Sequence, residues 1–140
     1  MRILLVEDST TVLMQNAWLL QESGYEVICA QNGEMALRMA RENMPDLILL
    51  DMMLPIMSGA DVLLQLKKAP ETAEIPVVVL SSLSEKSGQK LMEAGAEEYI
   101  EKSSLTPTKG TNLLPEILEN IVLRINSKRG IAPSNIPLHD

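Results

Sequence analysis

Five polar residues of this 140-residue chain fall where short apolar runs stop. Glu7 and Asp8 follow Ile3-Leu4-Leu5-Val6, and Asp51 closes Leu47-Ile48-Leu49-Leu50. Ser81 follows Val77-Val78-Val79-Leu80, and Lys102 comes directly after Glu98-Tyr99-Ile100-Glu101. Brought together, three carboxylates repel: at ~4 Å separation each pair costs about 4 kcal/mol at an effective dielectric near 20. Hard oxygen donors beside one ammonium suit Mg²⁺, which takes few protein carboxylates and keeps several waters. In such a site Asp51 is a nucleophile that a metal can bridge to an incoming phosphoryl group. Ser81 is then a hydrogen-bond donor to one phosphoryl oxygen and Lys102 a counter-charge to another. Taken singly, each of these residues also reads as a cap, a turn or a surface charge. What sets them apart is that all of them stand at strand ends.

The elements that must position them follow from the hydrophobic pattern. Leu47 to Leu50 and Val77 to Leu80 are apolar at every position, as expected of parallel strands buried on both faces. Arg2 to Val6, Tyr25 to Ala30 and Glu98 to Glu101 are the remaining strands. Between them run helical stripes. Leu13, Ala17 and Leu20 face inward with Val12 and Leu19 alongside, until Gly24 stops the helix. Ala36, Leu37 and Ala40 form the second stripe, which ends before Pro45. Val62, Leu63 and Leu66 mark a helix over Gly59 to Lys68. Glu85 to Ala94 is a poor helix holding Ser87 and Gly88, with Ser84 as its cap. Leu114, Leu118, Ile121, Val122 and Ile125 mark the fifth, opened by Pro115. Strands separated by single helices imply right-handed βαβ units in an α/β three-layer sandwich. A five-stranded parallel sheet in order 2-1-3-4-5 keeps the two most apolar strands internal and gathers the five polar residues on one rim.

Composition narrows the function. Nineteen acidic against twelve basic residues give a net charge of −7, which argues against a direct nucleic-acid surface. One cysteine, Cys29, excludes disulfide staples and cysteine-based zinc sites. His139 near the end of the chain reads as solvated rather than catalytic. No signal-peptide pattern opens the chain and no apolar run spans a membrane, so the expected location is cytoplasmic. Residues 1–127 are expected to form the domain, and 128–140 a tail or the start of a linker.

Four stretches carry a family resemblance. Glu7-Asp8, Asp51-Met52-Met53-Leu54-Pro55-Ile56-Met57-Ser58-Gly59, Pro76 to Ser81, and Gly95-Ala96-Glu97-Glu98-Tyr99-Ile100-Glu101-Lys102 resemble receiver domains of two-component response regulators. The likeness runs in order and spacing from about Met1 to Lys102. It implies that Asp51 accepts a phosphoryl group from a phosphohistidine on a sensor histidine kinase or histidine phosphotransfer protein. It further implies that Glu7, Asp8, Asp51 and the backbone carbonyl of Met53 hold Mg²⁺. Ser81 would move toward the phosphoryl group, Lys102 would pair with it, and Tyr99 would be the aromatic switch. Such a protein is a phosphorylation-dependent switch rather than an enzyme acting on a separate substrate, although it catalyses its own aspartyl phosphorylation and slow dephosphorylation. Output would pass to an effector or a second copy through the fourth helix, fifth strand and fifth helix. One departure stands out: Ser103 takes the place of the proline usual after the lysine. A cis bond there would cost roughly 2.5–4 kcal/mol, so trans is expected.

Other readings share parts of this pattern. A flavin-binding flavodoxin has the fold, but Glu7-Asp8 would repel its phosphate and few aromatics are present to stack on the ring. A haloacid-dehalogenase-like phosphatase needs Asp-x-Asp after the first strand, where this chain has Glu7-Asp8-Ser9. A degenerate receiver acting as a phosphorylation-independent interaction module is the remaining alternative. The kinase, stimulus and output are not written in the sequence.

Overall fold

In the computed structural model, which describes residues 1–82 and 85–130, every expected strand and helix forms. In chain order they are β1 (Arg2–Val6), α1 (Thr10–Glu22), β2 (Glu26–Ala30), α2 (Gly33–Asn43), β3 (Leu47–Asp51), α3 (Gly59–Lys68), β4 (Val77–Ser81), α4 (Glu85–Glu93), β5 (Glu98–Glu101) and α5 (Leu114–Lys128). A short 3₁₀ turn, Lys102–Ser104, follows β5. All strand pairs are parallel, and the order is β2-β1-β3-β4-β5. Every residue of β3 and β4 is buried, as their unbroken apolar runs require. Ser84, Leu83, His139 and the tail from 131 lie outside the described residues.

Alternation along the strands splits the core in two. On one face Ile3, Leu5, Leu47, Leu49, Val78 and Leu80 pack with α1 and α5. On the other Leu4, Val6, Ile48, Leu50, Val77 and Val79 meet α2, α3 and Leu91 of α4. The buried stripe of α1 is Leu13, Asn16, Ala17 and Leu20, while Val12 is 38% exposed. A polar residue thus takes a core-facing position that the apolar pattern had suggested for Val12. Tyr25 belongs to the turn before β2, its N–H donating to the Leu20 carbonyl.

Helix starts are fixed locally: Ser9, Asn32 and Ser58 each accept a backbone N–H from the first turn of α1, α2 and α3. Met44, in the left-handed region with φ 45°, turns the chain after α2. At the far end α5 continues through Lys128, and Arg129 is tied back to the Glu74 carbonyl and Glu97. Hydrogen bonds thus hold the chain as far as Arg129. Among the described residues no helix is long and apolar enough to cross a membrane.

Candidate functional site: an acidic centre at the C-terminal rim

The parallel register sets the geometry. Asp51 pairs with Leu80 at the end of β3, while Val6 pairs with Leu50 and Ala30 at the end of β1. Glu7 prolongs β1 by one step, its N–H donating to the Ala30 carbonyl at 3.0 Å. Glu7, Asp8 and Asp51 thereby converge, with one oxygen from each within 4.8 Å of the others. Glu7 and Asp51 are buried, and Asp8 faces solvent.

Each buried carboxylate has specific partners. Asp51 Oδ1 accepts the Met53 N–H at 2.9 Å, and Oδ2 accepts Lys102 Nζ at 2.9 Å. Glu7 Oε2 accepts the Ser9 N–H at 3.0 Å, at the start of α1. That contact does not offset its surroundings. Burial, then the hydrogen bond to Asp51, pushes the Glu7 carboxyl up to about 7. Three carboxylates around one ammonium leave an excess of negative charge, and all the donors are hard oxygens. That set fits a small divalent cation. Lys102 reaches Asp51 across a trans peptide to Ser103, so the missing proline does not keep the ammonium away.

The centre lies at the base of an opening of about 420 Å³. Val12, Gln15 and Asn16 of α1 line one side, with Met53 at the mouth. Leu105, Thr106 and Asn112, from the segment between β5 and α5, also line it. That segment reads in sequence as a polar loop. Within it Leu105 is buried and its carbonyl accepts the Leu113 N–H at 2.7 Å. Asn112 donates to Asn16 at 3.3 Å and accepts the Leu114 N–H at 2.9 Å, bridging α1 to the start of α5. Neither Leu105 nor Asn112 belongs to a periodic pattern, so only the packing shows them.

Ser81 is brought near but not into this opening. It is 1% exposed and borders a separate hollow of about 180 Å³ that shares Met53 with the first. Tyr99, on the same edge of the sheet, is half-buried against the α3 and α4 face. Its ring occupies the space beside Gly88 of α4, where a Cβ would lie within 2.7 Å of three ring carbons. Gly59 makes a similar approach at the other side of Asp51: a Cβ there would stand 2.5 Å from the Asp51 carbonyl oxygen. The loop between them holds one strained residue. Ile56 has φ 67° and is fully exposed, a conformation that costs an L-residue about 1–2 kcal/mol.

Fold and site define a class: an open parallel α/β domain with an acidic, lysine-paired carboxylate at the strand ends beside its switch point. The profile of the response regulator receiver domain matches residues 3–113, and the chain belongs to that family of two-component phosphorelay signalling domains. Among curated relatives, the polar-differentiation response regulator DivK of Brucella anthropi is 38% identical over 106 residues, covering 75% of this chain and 86% of the relative. Among solved structures, chemotaxis protein CheY4 of Vibrio cholerae superposes with a TM-score of 0.73 at 26% identity, covering 89% of this chain and 97% of that one. The signal receiver domain of a histidine kinase from Syntrophus aciditrophicus gives 0.72 at 33% identity, covering 91% and 90%.

Proposed function

We propose that Asp51 is the phosphoacceptor of this receiver and that Glu7, Asp8, Asp51 and the backbone carbonyl of Met53 hold Mg²⁺. The observation that carries the reading is the Lys102–Asp51 contact at 2.9 Å, made within a cluster of three carboxylates. The donor is a histidine kinase or histidine phosphotransfer protein. One Asp51 oxygen attacks the phosphorus of a phosphohistidine protonated on its other ring nitrogen. The O–P bond forms, the P–N bond breaks, and a neutral imidazole departs with the electron pair. Lys102 then shifts from Oδ2 to a phosphoryl oxygen. Ser81 crosses from its own hollow to donate its hydroxyl to another, and Tyr99 follows it. Mg²⁺, when bound, offsets charge on the phosphoryl oxygens. The signal leaves through α4, β5 and α5 toward an effector or a second copy.

Dephosphorylation is slow in this reading. Met53 stands at the mouth with an apolar, 68% exposed side chain that offers an attacking water no useful hydrogen bond.

Acetyl phosphate with Mg²⁺ tests the assignment. Intact-mass measurement should show one acid-labile adduct of about 80 Da, as expected of an acyl phosphate, that is absent from Asp51→Asn. Labelling that persists in the mutant would move the acceptor elsewhere.

A further inference from the structure

Ile56 is held in the left-handed region yet is fully exposed, so its side chain gains no burial within this chain. Glycine or asparagine would hold the same backbone with less strain, and a β-branched residue is the poorest choice there. Residues kept in such conformations cluster at functional sites. The position of Ile56 indicates which function is involved. With Pro55, Met57, Asn32 and Gly33 it lines a hollow of about 410 Å³ that also includes Asp8. Asp8 lines the Asp51 opening as well, so the hollow and the opening adjoin along one rim. Met53, 68% exposed, stands at the opening itself.

The occupant follows from the depth of the acceptor. Asp51 is 1% exposed at the base of its opening. A macromolecule that carries the phosphoryl group on a side chain must insert that side chain and rest its surrounding surface on this rim. We propose that Ile56 is an apolar docking knob that enters a socket next to the phosphohistidine of the protein donor. The proposal rests on Asp51 being the acceptor. Exposed Glu34 flanks the same hollow, so the complementary socket is apolar with a basic edge. A central apolar side chain bordered by charge is where binding free energy concentrates in protein interfaces.

The decisive variant is Ile56→Asn, because asparagine tolerates the left-handed backbone and folding is retained or improved. Labelling by acetyl phosphate, which needs no docking surface, is expected to match wild type. The phosphorylated histidine kinases and phosphotransfer proteins of the source organism are then purified, and the one that labels wild type fastest is used as donor. Its second-order transfer rate constant should fall about tenfold or more with Ile56→Asn. Leu64→Asn, at another exposed apolar residue, 46% exposed on α3, should leave the rate unchanged. Equal transfer to Ile56→Asn and wild type would overturn the proposal. So would an equal loss with acetyl phosphate, which would place Ile56 in the chemistry, or the absence of any protein donor faster than acetyl phosphate. A wild-type dimer in sedimentation that Ile56→Asn abolishes would assign the knob to a second copy instead. If wild type takes no label from acetyl phosphate with Mg²⁺, the acceptor assignment falls first and the docking proposal with it.

Discussion

The two ends of the sheet use their charges in opposite ways. At the N-terminal end Arg2 meets Glu26, Arg124 and Lys128 share Glu98, and Arg129 meets Glu97. Each of these carboxylates has at least one cation, and Glu26, Arg124 and Lys128 are exposed. At the C-terminal end three carboxylates converge on one lysine, and two of them are buried. Exposed, matched pairs contribute little. Buried, unmatched ones store an electrostatic cost that a bound cation can relieve. Charge balance and burial together separate the site from the surface; the number of charges does not.

The sharpest test of that contrast sets two lysines against each other. Lys102→Ala should slow labelling by acetyl phosphate about 10²–10³-fold, the loss typical of one positioned donor to a charged transition state. Lys128→Ala should leave it within about twofold of wild type, a bound set by the near-neutral worth of exposed pairs. A comparable loss in both would mean that overall charge, not placement, drives the reaction.

Titration probes the stored cost directly. Unfolded Glu7 releases its proton near 4.5, whereas burial and Asp51 hold the native carboxyl protonated up to about 7. Between those values the native state binds more protons, so its stability falls as pH rises through the window. The effect is on the order of 3 kcal/mol. Thermal melts without metal should show Tm falling from pH 5 to 8, with Glu7→Gln flattening the slope and Mg²⁺ restoring the melting temperature at pH 8. A slope unchanged in Glu7→Gln would remove Glu7 as its source.

How much of this was legible in sequence depended on repetition. Unbroken apolar runs gave β3 and β4, and helical spacing gave the inner faces of the helices. Positions at strand ends marked Glu7, Asp8, Asp51, Ser81 and Lys102 as rim residues, because strand ends in a parallel sheet share one rim. Single residues working without a period were not legible. Leu105 is one apolar side chain in a polar stretch, and Asn16 and Asn112 are polar groups far apart in sequence that meet only in the fold. The strain at Ile56 is a backbone property that its neighbours in sequence do not announce. The separation of Ser81 from the acidic opening likewise depends on where Met53 lies between them.

Smaller effects refine the contrast. Exchanging Met53→Asn should speed loss of the phosphoryl group about tenfold, equivalent to about 1.4 kcal/mol in the barrier. A mutant that decays at the wild-type rate would show that water access at this position does not set the lifetime. The smallest effect belongs to the N-terminal end. Arg124→Ala should cost less than about 1 kcal/mol in denaturant unfolding, and salt should erase the difference.

The ring of Tyr99 lying where Gly88 lacks a side chain bears on attempts to engineer this domain. A propensity-guided search for thermostable variants would choose Gly88→Ala early, since replacing a helix-interior glycine is ordinarily worth about 1 kcal/mol. Here the added methyl group would occupy space that the aromatic ring fills. The ring or the helix would have to move, on the face through which the signal is proposed to leave. The glycine that makes α4 a weak helix is therefore a poor target for improvement, and a consensus design that removed it would trade signalling for rigidity.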